Sequence, residues 1–410
     1  MPPASVSVSP LDLSGVQIPH HFRCPISLEL MCDPVTVATG QTYDRVSIES
    51  WAAAGHTTCP VTRCPLPPDF PLSLIPNHTL RRLIQDWCVS HRSLGVDRIP
   101  TPKQPPSPST LRLLLSRADL PSLRKLRSLA KDSDKNRSLM STPETRASLI
   151  HLSFLDPHSA VSAEAIAVLS LLPLAEQDAL SIVQSLDRLS YLADLIGSYA
   201  TPADLRASAG ALLESATSLT RSTETRSAIG SAHGVIQGMV SLIDTTDARS
   251  VRIGIRGLFA LCLAKENRTR AVAAGAAGVV MRKLQEMTEP EVLVRALAAV
   301  ELLCRTEEGR EAVAGVERAA GILVRAMAVG KERAAEHAAG ALVSVVGDSE
   351  ERQAEAVEAG VVTQLLLMVQ GGCSDRAKRK AQLLLKMLRP AWAHYETMVN
   401  SDDYYYFQPF

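Results

Sequence analysis

The sequence predicts a small α+β module at the N-terminal end, joined by a proline-rich spacer to a long all-α repeat solenoid. Three observations lead there. Residues Ile18 to Ser90 mix a short alternating run, two helical stripes with capping residues and a loop carrying four prolines by Pro68. Five prolines lie between Pro100 and Pro108 (PTPKQPPSP). From about Thr110 the composition turns to Leu, Ala, Ser and Arg, and segments recur with a period near 42 residues.

Residues 1–17 contain Ser and Pro without periodicity and read as a disordered tail. The module then spans 18–92. Val35 and Val37 alternate with Thr36 and Ala38, and Thr39-Gly40 marks a turn, so a β-hairpin returns through Tyr43. Asp44 is expected to cap the next helix, whose Ile48, Trp51 and Ala52 share one face and which Gly55 stops. The loop GHTTCPVTRCPLPP cannot be helical. Asn77 is the expected cap of a second helix with an apolar stripe at Leu80, Leu83, Ile84, Trp87 and Cys88. Residues 93–109 read as a plain, semi-rigid polyproline spacer, ahead of an SH3-type ligand or a phosphorylation site at Ser107-Pro108.

The repeats announce themselves at GVIQGMVSLI (234), GVVMRKLQEM (278), GILVRAMAVG (321) and GVVTQLLLMV (360), whose leading glycines are 44, 43 and 39 residues apart. RAVAAGA, EAVAGVE and EAVEAGV precede the last three, and RSAIGSAHG is a looser copy before the first. A third anchor is an apolar stripe, as in Ala209, Leu212, Leu213 and Ala216, or Ile255, Leu258, Phe259 and Cys262, with a fainter copy at Ala338, Ala341, Leu342 and Val345. Three helix-length segments per unit resemble the armadillo pattern, and about six units fit into 110–390. Stacking such units buries faces that one unit cannot bury alone and leaves a long surface suited to extended protein ligands. Cys262 and Cys304 end matching stripes and read as small buried hydrophobes. The basic run at 375–380 reads as a solvated helix face rather than a nuclear signal. The tail 391–410, aromatic and acidic, is either a docking peptide or packs back on the last repeat.

The 410 residues carry 43 basic and 43 acidic side chains, a balance that argues against nucleic acid as the main ligand. Aromatics make up 4%, so the core is aliphatic, which favours helix on helix. Eight cysteines are too few for a disulfide scaffold. No secretory signal and no run of about 18 apolar residues is found, so a cytoplasmic chain with reduced thiols and no membrane span is expected. No nucleophile elbow, phosphate loop, kinase set or zinc-protease motif is present.

Chemistry therefore concentrates on Cys24-Pro25 and Cys59-Pro60, which stand where a zinc finger would begin its ligand pairs. The residues three further on are Ser27 and Thr62, whose hydroxyls are poor zinc ligands, so no metal is expected. Neither cysteine has a basic partner at a predictable distance, and both read as structural.

The segments IPHHFRCPISLELM, DPVTV, GQTYDR, CPVTR and IPNHTLRRLIQDW, in this order and spacing, resemble the U-box, the metal-free relative of the RING finger in one class of ubiquitin ligases. With the repeats, the whole chain is similar to plant U-box ligases carrying C-terminal armadillo repeats. The resemblance implies an E3 ubiquitin-protein ligase without cofactor, metal or covalent E3 intermediate. The resemblance also implies that such a ligase holds a ubiquitin-charged conjugating enzyme (E2) beside a substrate protein bound by the solenoid, with a kinase or other signalling protein in stress or immune pathways as the expected kind of substrate. It implies Ile26, Leu28 and Pro60 as the E2-docking surface, and Arg63 as the group contacting E2 and ubiquitin together, a task suited to a planar five-donor guanidinium. Trp51 is open to two readings, docking or core packing. Cys24, Asp44, Cys59 and Asn77 are fold-holding. Homodimerisation through the U-box, and nuclear or peripheral membrane residence through partners, are compatible with the resemblance. The rivals are an armadillo adaptor whose finger only binds protein, and a zinc RING ligase.

Overall fold

The computed structural model describes residues 18–405 except 72, 73, 95, 97, 98, 100–106 and 348, and no side chain beyond Tyr395. The expected tail 1–17, most of the proline spacer and the last five residues lie outside the described residues. The chain divides into two compact units, Met1–Pro105 and Pro106–Phe410.

In the first unit β1 (Pro34–Thr36) pairs antiparallel with β2 (Thr42–Asp44), Val35 opposite Tyr43, as the alternation predicts. A third strand, β3 (Ile75–Pro76), pairs with the other edge of β1, giving the order β2-β1-β3. Two residues are too few to carry an alternating pattern, so sequence could not announce it. Helix α1 (Arg45–Ala53) buries Ile48, and Gly55, at φ +86°, takes the left-handed turn that ends it. Helix α2 (His78–Ser90) is capped by Asn77, whose side chain accepts from Leu80 N at 3.0 Å. Its inward stripe is Ile84 and Cys88, flanked by half-buried Leu80 and Trp87. Leu83, expected on that stripe, is 51% exposed. The helix touches a sheet too small to cover its whole apolar arc.

The core of this unit comprises Phe22, Met31, Val35, Val37, Tyr43, Ile48, Ile84 and neighbours. Val96 and Ile99 belong to it, although they fall inside the expected spacer at 93–109. Asp33 accepts from Arg45 Nε at 2.7 Å and is also bonded by Arg81, tying the loop before β1 to both helices.

The second unit is a stack of helices. After α3 (Pro108–Arg117) and α4 (Leu120–Asp132) come six triplets. They are α5 (Asp134–Met140), α6 (Pro143–Leu155), α7 (Ala160–Leu169); α8 (Glu176–Val183), α9 (Leu186–Gly197), α10 (Ala203–Leu219); and α11 (Thr223–Ser231), α12 (Val235–Ile243), α13 (Ala248–Cys262). Then follow α14 (Lys265–Ala273), α15 (Ala276–Leu284), α16 (Pro290–Leu303); α17 (Glu307–Ala314), α18 (Ala319–Val329), α19 (Glu332–Val346); and α20 (Glu350–Glu358), α21 (Val361–Gln370), α22 (Asp375–Tyr405). The third helices α7, α10, α13, α16, α19 and α22 pack each on the next, α12, α15, α18 and α21 form a parallel layer, and one continuous aliphatic core runs between.

The repeat register differs from the one the glycines suggested. In the last four triplets the residue that turns the chain into the second helix is left-handed: Gly234, Gly275, Arg318 and Gly360, spaced 41, 43 and 42 residues, whereas Thr142 and Ser185 in the first two are extended. Gly278 and Gly321 sit three places later, inside α15 and α18. Arg318 adopts φ +56° without being glycine, which hid the true position.

Three further expectations change. Ser107 is the cap of α3, with its Oγ accepting from Thr110 N at 3.2 Å, so the solenoid starts before the expected spacer ends. Helix α22 runs on through Pro390 to Tyr405, and half-buried Ala391 and Trp392 pack on the solenoid core, so the tail does not begin at 391. In the basic run, Arg376 and Arg379 are exposed as expected, but Lys380 Nζ lies 2.8 Å from Glu301 Oε1 and Arg376 pairs with Glu336 at 3.3 Å, so part of that face is also ion-paired to earlier repeats. Cys262 and Cys304 are buried, and burial pushes both thiols up to about 12. No helix among the described residues is long and apolar enough to cross a membrane.

Candidate functional site

Two loops of the first unit, 24–29 and 59–64, have the same hydrogen-bonded form. In the first, Cys24 N donates to Glu29 O and Leu28 N to Cys24 O, each at 2.8 Å; in the second, Cys59 N donates to Cys64 O and Arg63 N to Cys59 O, again at 2.8 Å. Each loop is closed by a bridge, Arg23 with Leu30 and Thr58 with Pro65. The fifth residue of each is left-handed, Leu28 at φ +61° and Arg63 at φ +59°. The hydroxyl before it accepts a backbone N–H at 3.4 Å, Ser27 from Glu29 and Thr62 from Cys64. Ser27 and Thr62 thus hold the loop tips.

The two sulfur atoms point inward and accept hydrogen bonds. Cys24 Sγ takes Asp44 N–H at 3.3 Å. Cys59 Sγ takes the Thr39 hydroxyl at 3.3 Å and lies 3.0 Å from the Tyr43 hydroxyl, which itself accepts Val61 N–H at 3.2 Å. Adjacent residues of β2, Tyr43 and Asp44, therefore pin both loops. Burial pushes the Cys59 thiol up, but hydrogen bonds from Thr39, Thr62 and Tyr43 together outweigh it and bring the thiol down to about 6. Burial, with the bond to Cys59, raises the Tyr43 phenol. A thiol this acidic invites a nucleophilic reading, yet Cys59 is 1% exposed and its sulfur is occupied by donors. Among the described residues no group of three or more His, Cys, Asp or Glu is placed to hold a metal ion.

Asp44 departs from expectation. Its side chain makes no cap bond to α1 and instead accepts Cys32 N and Asp33 N, both at 2.8 Å. Burial raises its carboxyl above the usual range despite the bond from Cys32 N–H and the nearby Arg45 guanidinium. It remains a fold-holding group that orders the turn between the first loop and β1. Asn77 does cap α2, and its amide also reaches Thr36 and Thr42 at 3.4 Å.

The outer rim of the two loops is apolar. Leu28 is 69% exposed, Val61 51%, and Ile26 and Pro60 are half-buried. Val61 was missed by sequence reasoning. The signal was available, because Val61 follows Cys59-Pro60 as Ile26 follows Cys24-Pro25. Half-buried Trp51 packs against the core, stacks on His56 with ring centroids 3.9 Å apart, and donates Nε1–H to Thr58 O at 2.9 Å. It joins α1 to the second loop, so its core role and its place beside the rim coexist. Arg63 is exposed and forms no ion pair among the described residues. Its left-handed backbone fixes where the side chain leaves the loop.

Fold and site together define a finger closed by hydrogen bonds and a small core, followed by an armadillo solenoid. A family model of the U-box domain matches residues 18–93, and one of the plant U-box protein armadillo repeat region matches 110–408. U-box domain-containing protein 25 of Arabidopsis thaliana is 46% identical, covering 97% of both chains; its protein 26 is 43% identical over the same shares. E3 ubiquitin-protein ligase PUB23 of the same plant is 30% identical, covering 92% of this chain and 94% of that protein. The chain belongs to the plant U-box proteins with a C-terminal armadillo-repeat region. Among solved structures, one from work on a phosphorylation switch in the cadherin and beta-catenin interaction matches with TM-score 0.56 and 13% identity, covering 76% of this chain and 58% of that one. An engineered protein matches with TM-score 0.52 and 21% identity, covering 68% and 67%. These two speak for the fold.

Proposed function

We propose that this chain is an E3 ubiquitin-protein ligase whose U-box docks a ubiquitin-charged E2 while the solenoid binds the substrate protein. The observation that carries the reading is the paired loops: two identically built turns, one presenting Ile26 and Leu28, the other Pro60 and Val61, with Trp51 bonded to the second loop and Arg63 exposed on it. A few apolar anchors ringed by polar groups suit a transient protein interface. The name of the relative PUB23 supports the activity.

Transfer proceeds directly from E2 to a substrate lysine. Cys24 and Cys59 are buried and held as hydrogen-bond acceptors, which supports a ligase that forms no thioester of its own. Catalysis then rests on proximity and on ordering the E2 thioester, with Arg63 reaching E2 and ubiquitin together.

Reconstitution with E1, E2, ubiquitin and ATP tests this. The wild-type chain forms ubiquitin chains and accelerates discharge of the charged E2. Ile26→Arg loses both while keeping the wild-type unfolding transition. Undiminished ligation by Ile26→Arg overturns the docking surface, and no acceleration by the wild-type chain favours the adaptor. Stoichiometric zinc in the purified protein overturns the hydrogen-bonded finger.

A further inference from the structure

Across α15, α18 and the turns leading into α18 and α21 runs a cleft of about 740 Å³. It belongs to the α12, α15, α18, α21 layer rather than to the stacked long helices. Its lining carries three exposed guanidinium groups, Arg282, Arg318 and Arg325, and the carboxylate of Glu317, and the Glu355 carboxylate reaches the lining at Gly321. Arg282 pairs with exposed Asp244 at 2.9 Å, while Arg318 and Arg325 make no ion pair or side-chain hydrogen bond among the described residues.

The arrangement is particular to two repeats. Counted from the left-handed residue that opens each second helix, Gly278 and Gly321 hold the third place and Arg282 and Arg325 the seventh. The repeats on either side have Gln237 and Ser241, and Thr363 and Leu367, at those places. A Cβ on Gly278 would meet nothing within 4 Å, so this glycine leaves room on the floor. Two N–H groups of the first turn of α18 are taken, Gly321 N by Glu355 at 2.8 Å and Ala319 N by Val316 O at 3.1 Å, so the guanidinium groups are what the cleft chiefly offers a ligand.

Spacing defines the ligand. Arg318, which precedes α18, and Arg325 within it are seven residues apart, about 10 Å along the helix axis. Arg282 and Arg325 stand at equivalent places on adjacent packed helices, separated by about 8–10 Å. An extended polyproline-type chain repeats every three residues, about 9 Å, with each third side chain on the same side. We propose that this cleft binds an extended acidic segment of a protein partner, carrying carboxylate or phosphate groups at every third residue. Along α18 such a segment sets successive acidic groups against Arg318 and Arg325, the two guanidinium groups without a partner, while Arg282 keeps Asp244, and its intervening side chains lie on the small-residue floor.

The test uses the full chain and a fluorescein-labelled nonapeptide with Asp at every third position between Pro and Ala, read by anisotropy. Saturable binding that weakens with added salt is expected. Arg325→Glu should weaken it about tenfold or more, because attraction becomes repulsion. Gly278→Leu keeps the charge and fills the floor, and should also abolish binding. Arg124→Glu, an exposed arginine on α4, and the Asn version of the peptide supply the two controls: an unchanged affinity for the first and no binding for the second are expected. The proposal is overturned by no saturable binding, by equal binding of the Asn peptide, by equal loss with Arg124→Glu, or by binding that survives Arg325→Glu or Gly278→Leu. It is overturned too if phosphatidylserine-containing vesicles, and not the peptide, capture the protein through Arg325.

Discussion

Replacing Tyr43 by Phe isolates the hydrogen bonds that close the second loop. The ring is fully buried and Phe fills the same space, so no cavity forms. Two interactions disappear, the 3.0 Å contact with Cys59 Sγ and the 3.2 Å bond from Val61 N. A typical net hydrogen bond contributes about 1 kcal/mol, and a shielded N–H left without acceptor costs about 1–3 kcal/mol, so the variant should lose about 2–3 kcal/mol. For a unit of this size that lowers the melting temperature by about 8–24 °C. Urea unfolding followed by tryptophan fluorescence reads it, because Trp51 and Trp87 both lie in this unit and Trp51 bonds to the affected loop at Thr58. The third tryptophan, Trp392, lies on α22, and Trp392→Phe in both proteins removes its signal. An unfolding free energy unchanged within about 0.3 kcal/mol refutes the claim that the Tyr43 hydroxyl holds the loop.

Other outcomes follow from the same geometry. Asp33→Ala removes the partner of Arg45 and of Arg81, whose side chain is 11% exposed, and should cost about 3 kcal/mol or more, with Arg81→Met in the same chain restoring most of it in a double-mutant urea series. The Cys59 thiol is held at about 6, below its ordinary value, so its contribution is complete above about pH 9 and is lost as pH falls through 6. The stability gap between wild type and Cys59→Ser should accordingly widen from pH 6 to pH 9, and a flat gap removes the thiolate from the account. Gly254→Ala and Gly278→Ala should move thermal stability in opposite directions. A Cβ at Gly254 comes 2.7 Å from the Met239 carbonyl oxygen, whereas one at Gly278 meets nothing within 4 Å and gains up to about 1 kcal/mol of helix propensity. Equal signs for the two would contradict the packing of α12 on α13.

Much of the first unit was legible because its signals are local. The alternation around Val35, the cap at Asn77 and the left-handed glycine at 55 each need only a few neighbouring residues, and each is where the pattern placed it. Asp44 was misread for the opposite reason. A capping residue in the right place competes for other donors, and the loop at Cys32 and Asp33, brought close by the hairpin, won its carboxylate. Leu83 matched a helical stripe, but how wide a stripe is covered depends on what lies against it. Val61 could have been found by laying the two Cys-Pro loops over each other.

The sequence by itself determined the class of both units: apolar spacing dictates helices with one buried side, and a period near 42 residues dictates that they stack. It also determined that the finger closes without a second pair of thiolates, since Ser27 and Thr62 stand in their places. Only the tertiary structure decided what the sulfur atoms do, because Thr39, Tyr43 and Asp44 reach Cys24 and Cys59 across up to 20 residues of chain. It likewise decided the repeat register, where the left-handed turn falls on Gly275 and Arg318 instead of on the more visible Gly278 and Gly321. Backbone handedness is set by how successive helices must cross to bury their faces, and Arg318, whose side chain is exposed, takes the left-handed turn at a modest steric cost.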